Sequence, residues 1–141
     1  MEKKHAYLII AHEYSEVLHK LLLLLNDARN DVYLHMDKRN TAPAPAWWDS
    51  AVSEAGFFVY RKYRVYWSTA SIVKCELLLL QRALQRGDYA YIHLLSGQDL
   101  PLKTQDEIHA FFSAHEGTQF VHFGTEAYQE ALRQEQRHEP V

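Results

Sequence analysis

One cysteine, Cys75, stands in 141 residues, so the chain can close no disulfide within itself. A single thiol fits a reducing compartment. Its place on the apolar side of an expected helix makes it a small buried hydrophobe rather than a nucleophile. Glycine and proline are scarce, at 5 and 4 residues, which excludes a repetitive or low-complexity chain. Neither sign of charge is in excess: 15 Lys and Arg oppose 18 Asp and Glu, for a net charge of −3. That balance excludes a nucleic-acid surface built on cations. Arg61, Lys62 and Arg64 form a small basic cluster, read as a solvated patch. No apolar run approaches the roughly 20 residues a membrane helix needs; Leu21–Leu25 is far too short. Met1–His5 leads into only a short apolar run, so no signal peptide is evident. The expected location is cytoplasmic, with peripheral contact to a membrane left open.

Several catalytic signatures are also missing. Gly-x-Gly-x-x-Gly and Gly-x-x-x-x-Gly-Lys-Ser/Thr do not occur, which argues against a dinucleotide cradle and a P-loop. Gly-x-Ser-x-Gly is absent, so there is no nucleophile elbow. No Asp-x-Asp pair stands at a strand end to hold a metal-bound diphosphate. Nine histidines invite a metal site, and His35, His93 and His122 fall near the ends of expected strands. Their spacing matches no zinc motif, so no metal is expected and they are assigned to core packing.

What is present is a hydrophobic content of 48% in one domain's length. Ala6–Ala11 reads as a buried strand, and Glu16–Asn26 as an amphipathic helix capped by Ser15. Val32–Met36 reads as a second strand, after a turn rich in Asn and Asp. Trp47–Glu54 is expected as a short helix and Phe57–Tyr60 as a third strand. A long helix should run from Thr69 or Ser71 to about Gln85, with Ile72, Cys75, Leu79, Leu80 and Ala83 inward. Gly87-Asp88 stops it. Glu107–His115 should be a helix with Ile108, Phe111 and Phe112 inward, closed by Gly117; a strand at Gln119–Phe123 and a helix at Thr125–Gln136 follow. Strands alternating with helices predict an α/β fold with a mostly parallel sheet.

Tyr89–Thr104 is the pivotal stretch. Tyr89–Leu95 is an apolar and aromatic strand. Ser96-Gly97-Gln98-Asp99 then turns polar, Pro101 bars further sheet, and Thr104 to Glu107 is a capping box. Three polar clusters therefore stand at strand ends: His12-Glu13, Asp37-Lys38-Arg39 and Ser96–Asp99. If the strands are adjacent and parallel, all three converge on one edge, where open α/β sheets bind ligands. Each also has a plain structural role: the Ser-Gly-Gln-Asp loop as a connection, Asp37 as a partner of Lys38 or Arg39, and Trp67 as a core anchor rather than a stacking platform.

The assembled pattern is similar to a known family. Tyr7-Leu8-Ile9-Ile10-Ala11-His12, Tyr33-Leu34-His35-Met36-Asp37-Lys38, Val65-Tyr66-Trp67 leading to Ser71, and Leu94-Leu95-Ser96-Gly97-Gln98-Asp99-Leu100-Pro101-Leu102-Lys103-Thr104 follow its order and spacing. They resemble the core-2/I-branching β-1,6-N-acetylglucosaminyltransferases, which include peptide O-xylosyltransferases. The resemblance runs from about Ala6 to Gly124. It implies a GT-A-like, Rossmann-like nucleotide-binding half and inverting transfer of a GlcNAc- or xylose-type sugar from a UDP donor, often without a divalent metal. The acceptor would be a hydroxyl on a glycan, a lipid-linked precursor or a protein. It implies that Ile10, Ala11 and His12 border the uridine, that Asp37 binds the uracil or ribose, and that Trp67 lies beside the nucleotide. Ser96, Gly97, Gln98 and Asp99 would neighbour the diphosphate and sugar. The family's catalytic Glu lies in a C-terminal half, so residues 1–141 are expected to be one incomplete, donor-binding domain with no catalytic base of its own and a sheet open to self-association. A non-catalytic nucleotide-binding or interaction module is the rival expectation.

Overall fold

The computed structural model describes residues 2–120 together with Glu126, Ala127, Gln129, Glu130, Arg133 and Gln134. Four strands, β1 (His5–Ala11), β2 (Asn30–Met36), β3 (Gly56–Tyr60) and β4 (Tyr91–Ser96), form one sheet in the order β3-β2-β1-β4. Every pairing is parallel. Helices α1 (Glu16–Leu25), α2 (Ala70–Arg86) and α3 (Gln105–Ala114) connect or follow the strands. The fold has the expected α/β class, with a parallel sheet flanked by helices.

The central strands are apolar along their length because both faces are covered. On one face Tyr7, Ile9, Ala11, Val32, Leu34 and Met36 meet Leu18, Leu21, Leu22 and Leu25 of α1. Burying four leucines contributes about 6–12 kcal/mol before chain entropy is subtracted. On the other face Ala6, Leu8 and Tyr33 meet Leu79 and Ala83 of α2. Ser15 caps α1 and Thr69 caps α2. The capping box opens α3 as read: Thr104 accepts from Glu107 N, and the Glu107 side chain accepts from Thr104 N.

The inward faces of α2 and α3 differ from the expected ones. In α2 the buried residues are Cys75, Leu78, Leu79 and Ala83, while Ile72 and Leu80 are half-buried. Burial raises the Cys75 thiol to about 11, which keeps it protonated and inert. A second apolar row on α2, Val73, Leu77 and Leu84, faces outward. In α3 Phe111 is exposed, Ile108 and Phe112 are half-buried, and His109 is the buried residue. A polar residue is invisible to a hydropathy pattern; here the ring turns in because Asn30 Oδ1 lies 2.9 Å from its Nε2.

Trp47–Glu54 is not a helix; residues 46–50 are turns. The Asn26 side-chain oxygen accepts the backbone N–H groups of Ser53, Glu54 and Ala55 at 3.0, 2.7 and 3.1 Å. Those donors pin the segment to the end of α1. Trp47 stacks on His19 and Trp48 packs edgewise on Tyr14 and Phe57. Farther along, Gly117 takes φ +85° just beyond α3, a turn only glycine makes without cost. Gln119 and Phe120 are not strand, and the rest of the expected strand to Phe123 lies outside the described residues. The described residues between Glu126 and Gln134 are helical; the remainder of the expected Thr125–Gln136 helix lies outside them. Among the described residues no helix is long and apolar enough to cross a membrane.

Candidate functional site

From β1 the chain moves to β2 on one side and later to β4 on the other. The carboxyl ends of β1, β2 and β4 therefore diverge around a topological switch point. A cavity of about 670 Å³ opens there, within the usual size of a small-molecule site. Ile10 and Ala11 line it from β1 and His12 from just beyond it, Asp37 from the end of β2, Trp67 from the loop before α2, and Ser96, Gly97 and Gln98 from the end of β4. Thus eight of the nine residues singled out by sequence share one cavity. Asp99 does not line it; its carboxylate accepts the Ser96 N–H at 2.7 Å and closes the turn.

Asp37 is buried and its oxygens are engaged. Oδ1 accepts the Arg39 N–H at 2.9 Å and the Val65 N–H at 3.3 Å. Oδ2 accepts Arg39 Nη2 at 2.8 Å and Nε at 3.1 Å. Burial pushes this carboxyl upward, but the Arg39 side chain and the two backbone donors outweigh it and hold the pKa below its ordinary value. The partner is Arg39, not Lys38. Arg39 in turn donates to Val65 O, lies 4.3 Å above the Tyr66 ring and reaches the cavity wall. One buried carboxylate thereby fixes the cavity's cation and the loop that carries Trp67.

Trp67 is 88% exposed, which removes the core-anchor alternative. The loop around it is built to present it. Ser71 Oγ accepts the Tyr66 N–H at 2.8 Å, and Thr69 Oγ1 donates to Tyr66 O at 2.7 Å. Ser68 adopts φ 58°, a left-handed conformation that costs a non-glycine residue about 1 kcal/mol or more. Across the cavity, the Gly97 N–H donates to Ile10 O at 3.0 Å. A Cβ on Gly97 would stand 3.0 Å from Ala11 Cβ, so glycine permits the close approach of β4 to β1.

His35 and His93 have structural roles. His35 is buried and its Nε2 accepts the N–H groups of Lys62 and Tyr63 at 3.1 and 3.0 Å. His93 Nε2 lies 3.1 Å from His5 Nδ1. His122 lies outside the described residues. No cluster of three or more metal-capable side chains occurs among the described residues.

Sequence reasoning named Arg39 only as a surface partner and missed Val65, Ile72, Glu76 and Leu94, which also line the cavity. Ile72 and Glu76 stand four residues apart on α2, a spacing that puts them on one helical face. That spacing was the available signal.

The model of the core-2/I-branching enzyme family matches residues 5–141. The chain belongs to that family. A search of curated proteins returned no match. Core-2/I-branching enzymes are glycosyltransferases, so the sheet edge described above sits in a glycosyltransferase domain and sugar donor and glycan acceptor are its substrate classes.

Proposed function

We propose that the cavity binds the nucleoside diphosphate of a UDP-sugar and that this chain is the donor-binding half of an inverting transferase. The carrying observation is the convergence of three strand-end clusters and the exposed Trp67 on one cavity at the switch point. Ile10 and Ala11 border the nucleoside, Trp67 stacks on it, and Arg39 supplies positive charge at the cavity wall. Asp37 serves by holding Arg39 and the Val65 backbone. Ser96, Gly97 and Gln98 neighbour the diphosphate and sugar. In the transfer, the acceptor oxygen bonds to the anomeric carbon as the bond to the diphosphate breaks, and a carboxylate base takes the acceptor's proton. Asp37 and Asp99 are consumed by internal hydrogen bonds, so neither is that base. The family resemblance places that base in a C-terminal half, so residues 1–141 alone are expected to show no multiple turnover. The donor sugar is of GlcNAc or xylose type and the acceptor a glycan, lipid-linked or protein hydroxyl. The missing Asp-x-Asp pair and the engaged Asp37 oxygens support donor binding without a divalent metal. One buried thiol suits a cytoplasmic site of action, at or near a membrane that carries the acceptor.

Trp67→Ala tests the reading. Stacking of an aromatic side chain on a base is worth about 1–3 kcal/mol, so UDP binding by titration should weaken by about 5- to 150-fold. Thermal stability should hold, since the ring is exposed. Unchanged UDP affinity would reject the stacking role.

A second reading, self-association, is supported by the row Val73, Leu77 and Leu84, which is exposed among the described residues. Sedimentation velocity should show a concentration-dependent dimer that Leu77→Glu dissolves. A monomer at every concentration rejects this reading.

A further inference from the structure

Four carboxylates stand at or near the carboxyl edge of the sheet, and their surroundings separate them. Asp37 accepts hydrogen bonds from Arg39 and Val65 on both oxygens. Asp99 is turned to the Ser96 N–H and is absent from the cavity wall. Glu13 lies 3.7 Å from His12 and lines a neighbouring groove. Glu76 lines the cavity itself, half-buried, with no hydrogen bond or ion pair to any described residue. The same lining includes the apolar side chains of Ile10, Val65, Ile72 and Leu94. The guanidinium in the cavity lining, Arg39, is committed to Asp37.

A carboxylate in such a wall loses water when a ligand enters, and the ligand must return hydrogen-bond donors or binding is penalised. Phosphate cannot do so, because it brings like charge and no proton at neutral pH. A ribose can: its vicinal hydroxyls present two donors on adjacent carbons to two carboxylate oxygens. In doubly wound sheets an acid after β2 commonly takes the ribose hydroxyls. Here the acid in that place is filled by its own neighbours. We propose that Glu76, on α2, is the ribose acceptor of this site, and that it orients the nucleotide by placing the diphosphate away from α2. The proposal rests on the reading of the cavity as a UDP site and adds the residue that selects ribonucleotides.

The test is titration of UDP and of 2′,3′-dideoxy-UDP against the wild type, Glu76→Ala and Glu76→Gln. The wild type should prefer UDP by about ten- to a hundredfold, the range of a hydrogen bond to a charged group. Glu76→Ala should weaken UDP by a similar factor, leave the dideoxy nucleotide within about twofold, and so bring the ratio near one. Glu76→Gln, which keeps the shape and one acceptor oxygen, should retain an intermediate ratio. A merely structural role would weaken both nucleotides together and leave the ratio intact, which overturns the proposal. So does a Glu76→Ala variant that binds UDP as well as or better than the wild type. Wild-type binding of UDP without preference over the dideoxy form overturns the ribose role while leaving the UDP site standing. Failure of the wild type to bind either nucleotide defeats the UDP reading itself.

Discussion

Asp37→Ala is expected to weaken UDP binding by about thirtyfold or more and to lower folding stability by about 2–3 kcal/mol. The carboxylate is buried, and its removal strands the N–H groups of Arg39 and Val65. It also frees a half-exposed guanidinium that Asp37 holds through two nitrogens. The stability cost stays moderate because Arg39 can turn to water. The binding cost is of similar size because three features fail together: the cavity's cation, the Val65 backbone and the approach to Trp67. Asp37→Asn keeps an acceptor oxygen and should fall between the two. Urea melts and nucleotide titration on the same samples separate the effects. An Asp37→Ala protein with wild-type affinity would show that the cavity does not depend on this anchor.

Acid should begin to loosen the fold before its carboxylates are neutralised. His5, His93 and His109 meet between β1, β4 and α3, with ring centroids of His5 and His109 4.1 Å apart. Tyr7, Tyr91 and Phe112 close around them. Burial, aided by the neighbouring histidines, lowers His5 to about 4, and burial with His109 lowers His93 to about 4, from an ordinary 6.5. Burial and Arg29 also lower His109, against the opposing pull of Asp27, Glu2 and Asp106. A depressed folded pKa means the neutral form is favoured on folding. The stability is therefore fully present above about 6.5 and is lost as pH falls through about 4. Each of the two shifts corresponds to about 3 kcal/mol, and because the rings repel one another the total is not their sum. Stability should fall by about 3–5 kcal/mol between pH 7 and pH 4, a large part of a typical domain's margin. The loss attached to Asp37 comes lower still, below its ordinary value of 3.8. His93→Phe should cut the pH slope by about one proton while its ring still packs on Tyr7. A wild-type stability flat from pH 7 to pH 4 would contradict the neutral-cluster account.

The parts of this structure that the sequence disclosed are those encoded locally. Ala6–Ala11 and Val32–Met36 are continuous apolar runs, and such runs become central parallel strands. Thr104 and Glu107 form a cap within one turn of chain. The convergence of His12, Asp37 and Ser96–Gln98 followed from parallel neighbours sharing one edge. What stayed hidden depends on partners distant in sequence. Asp37 meets the Val65 N–H across 28 residues, and His109 turns inward to Asn30 across 79. Asn26 reaches forward to Ser53, Glu54 and Ala55 and so converts an expected helix into turns. Trp67 could not be placed by hydropathy, since a tryptophan suits a core and a platform equally. Glu76 is one acid in an amphipathic helix, and only the position of α2 over the switch point puts it in the cavity.

The most direct test is calorimetric titration of UDP into the wild-type chain, with and without EDTA, against ADP as control. Binding of UDP that survives EDTA, with no comparable binding of ADP, is the expected result. Equal binding of ADP, or a folded chain that takes up no UDP, would contradict the assignment of this sheet edge to a uridine diphosphate donor.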